Sequence, residues 1–153
     1  MTARLFAKGA ERPQARARHA RLSLRVFAVF LALHGLVHVV GFTVPWGLGG
    51  PRGVGYSTLI LNRSVEVGDT AVKLLGFVWL AAAIAFVIVA VMIWRGHPWA
   101  LRSTVALLIG SLVLCVIGLP GAVMGLAIDV VLLVLLSFAS EKLVGRPASR
   151  AVR

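Results

Sequence analysis

Four side chains in the apolar part of the chain have the types and positions to do chemistry: two histidines, one aspartate and one cysteine. His34 and His38 lie four residues apart, a spacing that puts both on one face of a helix. Asp129 stands in an apolar stretch where a carboxylate is costly, so we expect it to face protein or water rather than lipid. Cys115 is the only cysteine, which excludes an internal disulfide. These four residues form a predicted buried polar cluster.

Imidazole and carboxylate groups inside a membrane bundle suit three kinds of chemistry. The interpretation we favour is a hydrogen bond that fixes one helix against another, worth about 0.6 to 2 kcal/mol. The second is a proton relay between Asp129 and His38, because such pairs mark proton paths in pumps and transporters. The third is a metal site on His34 and His38, completed by Asp129 or Cys115. We expect no catalytic residue, no metal and no cofactor; a haem is disfavoured because both histidines lie on one face.

Charge-free stretches predict the elements that position these residues. Of the 153 residues, 59% are hydrophobic and 14% are charged, against about 25% charged in an ordinary soluble domain. Uncharged stretches of 26, 21 and 26 residues lie between Arg25 and Arg52, between Lys73 and Arg95, and between Arg102 and Asp129. Each can cross the hydrocarbon core, which takes about 20 residues. The composition therefore predicts an integral membrane protein and excludes both disorder and a water-soluble core.

Proline and glycine divide this apolar material into four helices, at about 26–44, 72–94, 100–119 and 122–140. Pro45 ends the first helix, and a polar break at 95–98 ends the second. The sequence Gly-Leu-Pro-Gly at 118–121 interrupts an apolar run and predicts a tight turn between the third and fourth helices. The predicted fold class is all-α, a four-transmembrane-helix bundle. An extracytoplasmic loop at 45–71 and basic tails at 1–25 and 141–153 complete the predicted organisation.

The basic residues predict how the bundle is oriented. The net charge is +11, and thirteen of the sixteen lysines and arginines lie in the two tails and the loop between helices two and three. The positive-inside rule then places both termini in the cytoplasm, in a multi-pass protein of the bacterial cell membrane. The N-terminal tail should attract anionic lipids of the inner leaflet, at about 1 kcal/mol per basic residue. Nucleic-acid binding is disfavoured because Phe6 is the only aromatic residue in that tail.

Small and aromatic residues indicate how the helices pack and where the membrane surfaces lie. Gly121, Gly125 and Asp129 follow one another at intervals of four, so the carboxylate continues a small-residue stripe that favours close helix packing. Gly41 is the helix-packing glycine on the face of the two histidines. The predicted interface anchors are aromatic residues. Trp46 and Tyr56 are predicted on the outer side of the membrane, and Trp94 and Trp99 on the cytoplasmic side.

Residue counts place the cluster in one layer of the bundle. At a rise of about 1.5 Å per residue, His38 lies roughly 9 Å below the outer end of the first helix, and Asp129 roughly 10 Å below that of the fourth. Cys115 falls in the same layer, and His34 lies one turn deeper. His38 is therefore the histidine that we expect within hydrogen-bond reach of Asp129.

Several short motifs resemble a family of small four-helix integral membrane proteins from actinobacteria. They are His-Gly-Leu-Val-His-Val-Val-Gly-Phe at 34–42, Val-Pro-Trp at 44–46, Gly-Phe-Val-Trp-Leu at 76–80, Gly-Leu-Pro at 118–120 and Ile-Asp-Val at 128–130. The resemblance covers roughly residues 26–140. It implies the fold, the membrane and the importance of His34, His38, Trp79 and Asp129, and it implies no activity.

Three functions remain open from the sequence. The one we favour is a non-enzymatic integral membrane protein whose buried polar residues organise the bundle or bind a partner subunit. The first alternative is a proton-coupled transporter or channel component, which would act as a homo-oligomer or in a larger complex because four short helices leave little room for a path. The second alternative is a membrane redox subunit that binds a metal through its histidines.

Overall fold

The computed structural model describes the backbone of residues 3–144 and the side chains of residues 18–137. Five helices dominate: α1 (Ala3–Val37), α2 (Val39–Thr43), α3 (Gly68–Trp94), α4 (Ala100–Ile117) and α5 (Val123–Val144). Two short strands, β1 (Leu59–Ile60) and β2 (Val65–Glu66), pair antiparallel in the connection between α2 and α3. Since α1 and α2 are separated by one residue and together form the first of four helical rods, the predicted all-α, four-helix architecture is confirmed.

Three segments are long and apolar enough to cross a membrane. They are Arg18–Thr43, Gly68–Trp94 and Ala100–Ile117, with mean hydropathies of 2.0, 2.8 and 2.2. The apolar part of the last rod is shorter, Val123–Ser137 within the described side chains. The tight turn predicted at 118–121 is present, because α4 ends at Ile117 and α5 begins at Val123. The third and fourth rods therefore run antiparallel.

The first helix is longer than the sequence predicted. It begins at Ala3 and runs through the basic segment, whereas we expected a tail up to residue 25 and a helix from residue 26. Alanine and arginine dominate this segment, and both are strong helix formers, so the helix does not end where the charges begin. α3 also begins earlier than the predicted second helix, at Gly68 instead of residue 72. Asp69 is placed favourably in its first turn.

The helices close around an apolar interior to which every rod contributes. Leu31, Phe86 and Leu108 are fully buried in its centre, and Leu132 adds the contribution of α5. Gly35 allows α1 to approach α3 closely, because a Cβ atom there would lie 2.4 Å from the Cβ of Phe86. α1 and α3 therefore pack with almost no space between their backbones.

The connection between α2 and α3 folds back over one end of the bundle. Its β-hairpin docks on the α4–α5 turn, where the backbone N–H groups of Leu61 and Asn62 donate to the carbonyls of Ile117 and Leu119 at 2.9 and 3.0 Å. Residues 61–63 all have positive φ, between 50° and 64°, which bends the hairpin over the turn. We call residues 44–67 the cap, and the end of the bundle that they cover the capped end.

Exposed aromatic residues lie at both ends of the bundle. Trp46 and Tyr56 belong to the cap, while Trp94 and Trp99 border the α3–α4 connection at the opposite end. Each tryptophan of that opposite end carries an arginine guanidinium over its ring: Arg25 lies 5.1 Å from the Trp94 ring centre, and Arg102 lies 5.3 Å from that of Trp99. We call this the basic end.

Candidate functional site

The four residues of the predicted cluster lie side by side in the interior, together with a serine that we had not predicted. We call these five residues the polar network; their exposed fractions are all between 0 and 3%. They come from three helical rods, α1, α4 and α5, and are His34, His38, Ser111, Cys115 and Asp129.

Asp129 is the centre of the network because three side chains converge on its carboxylate. His34 Nε2 lies 2.8 Å from Oδ1, and the Ser111 hydroxyl donates to Oδ2 at 2.6 Å. The Cys115 thiol is a third, weaker donor, with Sγ 3.6 Å from Oδ2. Hydrogen bonds to a charged acceptor are the strong ones, and without them a buried carboxylate would be very unfavourable.

His38 reaches Asp129 through Ser111 and does not touch it directly. Its Nε2 lies 2.7 Å from Ser111 Oγ, and its Nδ1 lies 3.2 Å from the carbonyl oxygen of His34. The direct partner of the carboxylate is His34, one turn deeper than the histidine that we expected in that place.

The heights of the helices explain this difference. Trp79 packs on both Gly41 and Gly118, since a Cβ atom on either glycine would lie within 2.8 Å of its ring. The α4–α5 turn is therefore level with Gly41 and not with Val44, where the residue counts placed it. Three residues correspond to about 4.5 Å, nearly one helical turn, and this shift exchanges the roles of the two histidines.

His34 leaves one ring nitrogen without a partner. Its Nδ1 is buried and has no hydrogen-bond partner among the described residues. The ring stands edge-on to Phe86 and to His38, with ring centres 5.0 Å apart in both cases. His34 therefore has one polar contact from its side chain, the one to Asp129.

The helix α3 covers one side of the network with aromatic side chains and adds no polar group to it. Trp79 and Phe86 lie against His38, with ring centres 5.2 and 5.0 Å away. Gly41 makes room for Trp79, so the predicted packing glycine serves the contact between α2 and α3. Trp79, to which the family resemblance drew attention, thus separates the network from the outer surface of α3.

The predicted glycine stripe of the last helix divides into two parts. Gly125 lies against α4, because a Cβ atom there would lie 3.0 Å from Cys115 Sγ. Gly121 precedes the first residue of α5 and lies in the turn, where a Cβ atom would meet only the Gly118 carbonyl at an ordinary 3.6 Å. Close packing of α5 on α4 therefore begins at Gly125, and the prediction for Gly121 was wrong.

A cavity of about 410 Å³ lies between the cap and the network. His38 and Cys115 are on its inner wall, beside Trp79, and Arg63 of the cap is on the opposite side. We call it the capped cavity. Two of the five network residues thus border a space at the capped end.

A larger groove runs along the surface between α1 and α5, with a volume of about 660 Å³. Apart from Ser23, its lining is apolar. In a membrane, such a surface suits lipid chains.

Metal binding finds no support in the described side chains. Within residues 18–137, no group of three or more His, Cys, Asp or Glu side chains is arranged to hold a metal ion. His34 and Asp129 use their facing atoms on each other, and His38 directs its ring nitrogens at Ser111 and a carbonyl.

Ser111 is the functional candidate that the sequence reasoning missed. It stands four residues before Cys115, so both lie on one face of α4. This spacing was the available signal, because it places two small polar side chains at the depth already inferred for Asp129.

No family model, curated protein or solved structure matches the chain.

Proposed function

We propose that this chain is a multi-pass protein of a bacterial cytoplasmic membrane and acts there as a proton-coupled transporter or channel component. Three segments long and apolar enough to cross a membrane support the location. The excess of lysine and arginine at the basic end and in both tails supports an orientation with both termini in the cytoplasm. In this orientation the cap and its cavity face the outside of the cell.

The observation that carries this proposal is the connection from the capped cavity to Asp129. His38 lies on the cavity wall and is linked through Ser111 to the carboxylate, which is the only acidic residue between Asp69 and Glu141. An ionisable group inside a membrane bundle is costly, and such groups characteristically mark ion and proton paths. Because four helices leave little space for a complete path, the proposed active form is an oligomer or a complex with another membrane protein.

The test is proton flux into vesicles that contain the purified protein. A pH-sensitive dye inside the vesicles reports proton uptake while a potassium gradient with valinomycin sets the membrane potential. We expect wild-type vesicles to acidify faster than protein-free vesicles, and Asp129→Asn vesicles to match the protein-free rate. Thr104→Val is the matched control, because its hydroxyl is equally buried on α4 but bonds only to the Ala100 carbonyl. Equal rates for wild type and Asp129→Asn would overturn the proposal.

A second candidate function is structural, and the three donors around Asp129 favour it. They tie α5 to α1 and α4 at one point, as a packing contact in a membrane subunit would. On this interpretation the network organises the bundle, which then binds a partner subunit. Asp129→Asn would then reduce the yield of folded protein, and the folded fraction would show no difference in proton flux from wild type.

A further inference from the structure

We propose that Asp129, Ser111 and His38 form a proton relay with two interconverting states, in which His34 is a fixed hydrogen-bond donor to Asp129. The relay deepens the proposed function and rests on it for its physiological role. Its geometry comes from three hydrogen bonds made by His38 and Ser111 and from the unpartnered Nδ1 of His34.

His34 is held in one neutral form. Its Nε2 faces the Asp129 carboxylate at 2.8 Å and must carry a hydrogen to make that contact. A second hydrogen on Nδ1 would have no acceptor among the described residues, and a buried unpaired N–H costs about 1 to 3 kcal/mol. The hydrogen therefore stays on Nε2, and His34 donates to Asp129 in both states of the relay.

His38 is different because both of its ring nitrogens face a partner. Nδ1 lies 3.2 Å from the His34 carbonyl, which can only accept, so Nδ1 carries a hydrogen. Nε2 faces Ser111 Oγ, which can either accept from it or donate to it. The direction of this second hydrogen bond decides whether His38 is a cation or a neutral imidazole.

Ser111 has a single hydroxyl hydrogen and two relay partners, so the two hydrogen bonds must change direction together. In the ion-pair state, His38 Nε2–H donates to Ser111, and the Ser111 hydroxyl donates to the Asp129 carboxylate. In the neutral state, the Asp129 carboxylic acid donates to Ser111, and the Ser111 hydroxyl donates to His38 Nε2. One proton moves from Nε2 to Oγ while another moves from Oγ to Oδ2, so the proton count and the total charge stay the same.

The surroundings keep both states accessible. The ion-pair state gains the attraction between His38 and Asp129 in a medium of low dielectric, while the neutral state avoids burying two charges. The titratable groups that face the relay are His34 from α1 and Cys115 from α4, and α3 contributes only Trp79 and Phe86. Arg63 of the cap borders the same cavity as His38.

The relay also has a defined exit. His38 and Cys115 are the two network residues on the capped cavity, whereas His34 and Ser111 do not border it. A proton from water in the cavity can therefore reach Asp129 by way of His38 and Ser111, whose hydrogen bonds of 2.7 and 2.6 Å are much shorter than the 3.6 Å contact from Cys115. This order, cavity to imidazole to hydroxyl to carboxylate, gives the proposed proton path one end at the capped side of the membrane.

The first test is ¹⁵N NMR of the histidine side chains in the full-length protein reconstituted into lipid bilayers. His34→Gln and His38→Gln variants assign the signals. We expect His34 to keep a hydrogen on Nε2 alone, and His38 to keep a hydrogen on Nδ1 while its Nε2 exchanges between protonated and bare, in a ratio that changes with temperature at constant pH. A hydrogen on His34 Nδ1, or a His38 Nε2 that stays in one fixed state, would overturn the relay, and this measurement needs no variant of Ser111.

The second test is whether Ser111 transmits the coupling between His38 and Asp129. In the wild-type background, Asp129→Asn should change the proton affinity of His38 by about tenfold, one pH unit. In a Ser111→Ala background, the same substitution should change it much less, while Thr104→Val, with an equally buried hydroxyl on α4 outside the network, should leave the tenfold effect intact. An effect of Asp129→Asn that is equal with and without Ser111 would overturn the relay.

These outcomes separate the relay from the proposed function. Histidine spectra as expected, with no proton flux in vesicles, would leave the relay intact and refute the transport function. Flux that depends on Asp129 but persists in Ser111→Ala vesicles would support the transport function and refute the relay.

Discussion

A single carboxylate organises the interior of this protein at the scale of residues. Asp129 has three hydrogen-bond donors, from α1 and α4; if the acceptor is removed, the His34 N–H and the Cys115 thiol lose their partner, whereas Ser111 keeps His38. The energy of the network therefore depends on the acceptor atoms at position 129, and not on their charge alone.

Replacing Asp129 should destabilise the protein according to how many acceptor atoms remain. We expect Asp129→Ala to cost about 3 to 5 kcal/mol, because it leaves the buried donors unsatisfied. Asp129→Asn keeps one oxygen and should cost about 1 to 2 kcal/mol. Reversible unfolding in detergent measures both, and equal losses for the two variants would contradict this account of the network.

The residues that could be predicted from the sequence were those whose burial in an apolar segment is energetically unfavourable. His34, His38, Cys115 and Asp129 attract notice because polar groups in apolar stretches need a reason. Ser111 did not, since a serine satisfies itself within a helix and is common in membrane spans. The exchange of roles between the two histidines was also hidden, because it follows from how Trp79 sets the relative heights of two helices.

At the scale of elements, glycines determine how closely the helices approach. Gly35 lies directly against Phe86, so that α1 and α3 are nearly in backbone contact beside the histidines. The network depends on this approach, because it brings both imidazoles away from lipid and towards α4 and α5.

Gly35→Ala should destabilise the bundle by about 1 to 3 kcal/mol, because the new methyl group would overlap Phe86. Gly110 is a matched control within α4, since a Cβ atom there would meet nothing within 4 Å. Gly110→Ala should be neutral or stabilising by up to about 1 kcal/mol. Thermal unfolding of both variants in the same detergent tests this, and equal effects would show that the helix contact is not tight.

The cap should control access to Cys115 from water. This thiol is the only one in the chain, is fully buried and borders the capped cavity. Replacing residues 57–66 with a Gly-Ser linker should therefore increase the rate at which a water-soluble maleimide labels it several-fold. Arg52→Gln, a change in the cap outside the cavity lining, should leave the rate unchanged. An unchanged rate after the replacement would show that the cap does not cover the cavity.

The positions of the helices could be predicted from the charged residues and from the glycine and proline residues of the turns, but the cap could not. The turn at 118–121 and the long apolar helices follow from local composition. The β-hairpin is tied to the bundle by Leu61 and Asn62, which donate to backbone carbonyls of the α4–α5 turn, a contact between segments far apart in sequence. The helical continuation of α1 to Ala3 was also missed, because we gave charge more weight than helix propensity.

At the scale of the whole molecule, charge and polarity are distributed along the bundle axis. One end carries Arg25 and Arg102 stacked on tryptophans, and the other carries the cap with its cavity. In the proposed orientation, which places the basic end in the cytoplasm, this asymmetry gives the proposed proton path a direction relative to the membrane.

The orientation predicts where a C-terminal reporter will be found. A phosphatase that is active only outside the cytoplasm, fused after Arg153, should be inactive, whereas a fluorescent protein that folds only in the cytoplasm should fluoresce. The same pair of reporters inserted into the cap, after Gly49, should give the opposite results. Phosphatase activity from the C-terminal fusion would reverse the orientation and with it the side on which the cavity opens.

The central claim is that Asp129 takes part in proton movement as well as in packing. Proton uptake by vesicles that contain folded wild-type or folded Asp129→Asn protein, compared at equal protein content, tests this claim most directly. We expect uptake above the protein-free rate for wild type and uptake at the protein-free rate for the variant. Identical uptake by the two folded proteins would contradict it.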